Sequence, residues 1–70
     1  MLLYSMEAKQ AEGIAIEFLQ QQYSMIKMEK SVLEEDGRIW RVDFLVSSFD
    51  KERAITVKVS ARTGLILGWQ

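Results

Sequence analysis

The chain contains no cysteine and no histidine. Disulfides, Cys/His metal sites and thiol or imidazole catalysis are thereby excluded. Nor does one sign of charge dominate. Nine Lys and Arg stand against ten Asp and Glu, a net charge of −1. That balance offers little to attract a phosphate backbone and little repulsion against self-association. Long apolar runs are missing too, since no stretch approaches the roughly 20 residues of a membrane span. The opening Met1-Leu2-Leu3-Tyr4-Ser5-Met6-Glu7 has no basic region, and its apolar run stops too early for a signal peptide. Gly13, Gly37, Gly64 and Gly68 are dispersed and form no phosphate-cradling loop. A soluble, cytoplasmic protein is the expectation, with a domain cut from a longer secreted protein as the alternative.

What is present is enough for one packed domain over residues 1–70. Of its residues 49% are hydrophobic, which argues for a globule rather than a disordered tail. Ser5 reads as a helix N-cap, with Glu7 and Glu12 near the positive end of the helix dipole. Ala8, Ala11, Ile14, Ala15, Phe18, Leu19 and Gln22 then recur at spacings of three and four, predicting a helix from Met6 to about Gln22. Its small residues let the axis lie close to a sheet while Ile14, Phe18 and Leu19 fill the gaps. Ile16 falls off the stripe, at the edge of the buried zone.

Three alternating runs follow. The first, Met25 to about Glu34, puts Ile26, Met28 and Val32 on one face together with Lys30. A lysine in that row implies either a bulge that shifts the phase to Leu33 or a snorkelling stem. Asp36-Gly37 reads as a hairpin turn, and the acidic run before it as a solvated turn rather than a cation site. The second run, Arg38 to Ser47, carries Trp40, Val42, Phe44 and Val46 on the face expected to meet the helix. Ser48 to Glu52 is the next turn. In the third run Ile55, Val57 and Val59 alternate with Thr56, Lys58 and Ser60. Ala61-Arg62-Thr63-Gly64 then breaks the pattern, and Leu65-Ile66-Leu67 resumes it. Gly64 suits the positive φ of a three-residue hairpin connection after a type I turn. The fold class is therefore α+β, an N-terminal helix on one face of a three- to four-stranded antiparallel meander.

The residues reveal no catalytic constellation. Without His or Cys only a Ser–Lys arrangement remains for a hydrolase. Ser60 and Lys58 share a strand face, but an open one. No cofactor or metal is expected. The outward face mixes Lys27, Glu29, Arg41, Asp43, Thr56 and Lys58 with Met25, Ile39, Leu45 and Ile66, more apolar side chains than a fully solvated face needs. Leu65 to Gln70 carries no charge and no proline, and in a meander it forms a sheet edge without the usual protection. The candidate interface is accordingly Leu65, Ile66, Leu67 and Trp69, together with Ile39 and Leu45. Either the Met1–Tyr4 segment or a second copy would cover that edge.

Ala11-Glu12-Gly13-Ile14-Ala15-Ile16 in the helix, Trp40-Arg41-Val42 in a strand and the closing Val57-Lys58-Val59-Ser60-Ala61-Arg62-Thr63-Gly64-Leu65-Ile66-Leu67 resemble the PepSY-like domains over residues 7 to 67. These modules close on V-x-V-D-A-x-T-G-x-I-L, and Ser60 stands where they have Asp. The resemblance implies a helix on an antiparallel sheet, broadly cystatin-like. It also implies a binding or inhibitory role, because such domains occur in propeptides of thermolysin-type metallopeptidases. Three functions are thus carried forward. The first is a non-catalytic binding or regulatory module for another protein, a peptidase among the candidates. The second is a small homodimeric structural protein. The last, nucleic-acid binding through Arg38, Arg41, Arg53, Lys58 and Arg62, is disfavoured by the charge balance, and no membrane partner is expected.

Overall fold

The architecture, seen in a computed structural model that describes residues 6–70, is one helix against one sheet. Helix α1 spans Ala8–Leu19 and is followed by strands β1 (Met25–Glu34), β2 (Ile39–Ser48), β3 (Lys51–Ser60) and β4 (Ile66–Trp69). The strands lie in the order β1-β2-β3-β4, every neighbour antiparallel. The expected layout of a helix on an antiparallel meander is therefore observed.

Helix α1 is shorter than its periodicity predicts. The main-chain N–H of Met6 donates to Ala61 O at 3.0 Å, and the Trp40 indole donates to Met6 O at 2.9 Å. Tied to the sheet on both sides, Met6 cannot join the helix, and Glu7 is the extended N-cap. Gln10 Oε1 closes the cap by accepting the Glu7 N–H at 2.9 Å. The predicted cap Ser5 lies outside the described residues. At the other end Gln20, Gln21 and Gln22 are exposed, so no burial extends the helix past Leu19.

Ala11, Ala15 and Leu19 of α1 are buried against Val42, Phe44 and Val46 of β2 and Ile55, Val57 and Val59 of β3. Ile14, Ile16, Phe18 and Trp40 pack around this centre, half-buried. The predicted strand face is the one observed. Two fully buried alanines bring the helix axis close to the sheet, and the larger side chains fill the space on either side.

In β1 the bulge reading holds and the snorkelling one does not. Met28 lies opposite Phe44 and Lys30 opposite Asp43, so Glu29 is an extra residue. It reverses the phase: Ser31 and Leu33 oppose Val42 and Trp40 of the core face, whereas Lys30 and Val32 oppose Asp43 and Arg41 of the outer face. Val32, expected inside, is outside for that reason.

The turns also depart from the simplest reading. Between β1 and β2 the connection is Glu35–Arg38, with positive φ at Glu35 (53°), Asp36 (57°) and Gly37 (85°), rather than an Asp36-Gly37 pair alone. Between β2 and β3, Ser48 pairs with Lys51, leaving a two-residue loop, Phe49-Asp50. Lys51 and Glu52, expected in the turn, begin β3. Between β3 and β4 the loop has one residue more than expected. Ser60 N–H donates to Leu65 O at 2.8 Å and Gly64 N–H to Ser60 O at 2.9 Å, enclosing residues 61–64. Gly64 has φ 77°, as predicted. The Ser60 hydroxyl accepts the N–H groups of Arg62 (3.3 Å) and Thr63 (3.2 Å), a side-chain-to-backbone turn.

Candidate protein-interaction site

Among the described residues strand β4 is the last of the sheet and one side of it is unpaired; the Met1–Tyr4 segment, expected as one possible cover, lies outside those residues. Thr56 N–H donates to Gln70 O at 2.8 Å, and Gln70 N–H to Thr56 O at 3.0 Å. In an antiparallel ladder such a doubly bonded pair alternates with a non-bonded one. The next pair is Val57 with Trp69, so the N–H and C=O of Trp69 face away from β3, towards the free edge. Gly68 pairs with Lys58 and Ile66 with Val59, which makes Leu67 an extra residue in β4. Leu65, Leu67 and Trp69 are 65%, 55% and 44% exposed. Three large apolar side chains thus surround a short edge that has main-chain groups to offer.

The side chains of the candidate interface fall into two groups. Ile66 and Trp69 oppose the core residues Val59 and Val57 and so lie on the helix side. For Ile66 this corrects the expectation of an outward position, and it packs against the core. The helix rests mainly on β1, β2 and β3. It meets the Trp69 side chain through Phe18, with ring centroids 6.1 Å apart in an edge-on arrangement. Ile39 and Leu45 lie on the outer face, half-buried, and are not brought together with the β4 edge.

The outer face has its own polar centre. Arg41 Nη1 lies 2.7 Å from Glu34 Oε2, and its Nε 3.6 Å from Asp43 Oδ1. Thr56 Oγ1 donates to Asp43 Oδ1 at 2.8 Å. Glu34, taken from sequence as part of a solvated acidic turn, is thereby an ion-pair partner across the strands. The depression around these groups, lined also by Lys30, Leu45 and Lys58, is open to solvent. Arg41 is engaged, which leaves the proposed nucleic-acid set without its central cation.

The Ser60 hydroxyl oxygen accepts the N–H groups of Arg62 and Thr63, and among the described residues no hydrogen bond joins it to Lys58. Among the described residues no three Asp or Glu side chains converge as metal ligands, and no helix is long and apolar enough to cross a membrane. Comparison with protein-family models, with curated proteins and with solved structures finds no match to this chain.

Proposed function

We propose that this protein is a non-catalytic binding module that recognises another protein by adding a strand to the free edge of β4. The observation that carries this reading is the main chain at Trp69, unpaired on its outer side among the described residues and framed by exposed Leu65, Leu67 and Trp69. Strand addition obtains affinity from main-chain hydrogen bonds and specificity from alternate side chains, and an uncharged edge supplies both. The resemblance to PepSY-like domains makes a peptidase the partner class to test first.

The experiment immobilises the chain and titrates a thermolysin-type metallopeptidase over it, the parent beside a Leu67→Lys variant, with inhibition of the peptidase followed in parallel. Binding by the parent that is lost in the variant supports the reading. Equal binding by both removes the edge as the site. Absence of both binding and inhibition removes the peptidase as the partner.

A further inference from the structure

The two edges of the sheet differ in a way that selects a particular occupant. Strand β1 is protected at its middle: Lys27, Glu29 and Lys30 are exposed on it, and the Glu29 bulge interrupts its ladder, although Met25, Met28 and Leu33 are exposed there too. Charge and bulge are two of the devices that keep an edge from pairing. Strand β4 carries no charged side chain from Leu65 to Gln70, and beyond its own extra residue, Leu67, the doubly bonded Thr56–Gln70 pair leaves the main chain of Trp69 aimed at the free edge.

A pairing of β4 with β1 of another copy would be head-to-tail and would propagate into a filament. A pairing of β4 with β4 is twofold and closed. Only the second uses the unprotected edge twice and leaves two protected ones outside.

The helix side of β4 favours the same solution. In a twofold antiparallel seam the sheet continues through both copies, and both helices lie on one face. Each copy then brings Ile66, Trp69 and Phe18 to that face beside the seam. The apolar side chains that α1 leaves half-covered at β4 thereby meet their own equivalents. With a net charge of −1 per chain, Coulomb repulsion opposes such a contact only weakly.

From this asymmetry we infer that, in the absence of another bound protein, a second copy of the chain occupies the β4 edge, giving a homodimer with a continuous eight-stranded sheet. The inference rests on the reading of β4 as the recognition edge, and it makes self-pairing compete with any other protein for that edge.

Sedimentation equilibrium of the 70-residue chain from low to high micromolar concentration is the first measurement. The expected mass is twice the 8.1 kDa of the monomer, falling to one chain in Leu67→Lys with an unchanged circular-dichroism spectrum. The second measurement keeps the test decisive should that variant fold poorly. Amide exchange of the parent is followed by NMR across the same concentrations. The Trp69 N–H is expected to slow as the dimer forms, while the amides on the β1 edge keep their rates. A monomer at every concentration overturns the inference. So does a dimer in which the Trp69 amide exchanges at the monomer rate. A monomer whose binding to a peptidase still depends on Leu67 overturns self-pairing alone and leaves the edge as a recognition site.

Discussion

Ser31 of β1 donates its hydroxyl to Glu12 Oε2 of α1 at 2.7 Å, a partly buried bond between helix and sheet. The contact exists because the Glu29 bulge turns Ser31 inwards. In an unbroken alternation Lys30 would have faced the helix in its place. A hydrogen bond to a charged acceptor contributes about 1.5–3 kcal/mol when well shielded, and about 1 kcal/mol in a typical setting. Ser31→Ala should therefore lower stability by about 1 kcal/mol in a urea titration. An unchanged midpoint would mean that the pair is replaced by water without loss.

Phe44 is 1% exposed at the centre of β2, between Met28 and Ile55 on its neighbours. Truncating a buried phenylalanine removes its transfer energy and leaves a cavity, together about 3–5 kcal/mol. Small domains hold only about 5–15 kcal/mol in reserve. Phe44→Ala should thus leave much of the protein unfolded at 37 °C, visible as a collapsed thermal transition. A loss below about 1 kcal/mol is incompatible with the helix covering this face.

Gly64 meets two constraints at once. Its φ of 77° is strained for any residue with a side chain, and a Cβ there would stand 3.1 Å from Met6 Cε and 3.2 Å from Ile14 Cδ1. Gly64→Val should destabilise by more than about 1 kcal/mol, since the left-handed conformation alone costs about that much. Gly13 serves as the internal control: it is helical, exposed and has open space at its Cβ position. Gly13→Ala should stabilise by about 0.5–1 kcal/mol. Opposite signs for the two substitutions in one set of melts are the expected outcome.

Phe49 presents the reverse case. It is fully exposed, has φ 59° and occupies the first position of the Phe49-Asp50 loop. Positive φ at that position alone is the pattern of a type II′ turn, where glycine is the preferred residue. Phe49→Gly should raise the thermal midpoint, because it relieves the backbone and gives up no packing. A lower midpoint would show that the ring makes a contact in solution that compensates its strain.

Much of this molecule was legible in the residues, and the reason is periodicity. Alternation in Trp40, Val42, Phe44 and Val46, and again in Ile55, Val57 and Val59, identified the buried face of β2 and β3, since a strand with one wet face allows no other arrangement. The 3.6-residue stripe identified the face of α1 for the same reason. Thr63-Gly64 marked the last hairpin because few residues besides glycine accept its φ. For β1 the misplaced Lys30 offered a bulge and a snorkelling stem as equal readings, and only the tertiary structure decided between them, because a bulge is chosen by the partner strand. The tertiary structure alone placed Ile66 with the core, through the extra residue at Leu67. It alone drew Met6 out of the helix, through bonds to Ala61 and Trp40 distant in the chain. Local spacing determines which faces are apolar, whereas register and the ends of elements are settled by hydrogen-bond partners that only folding brings together.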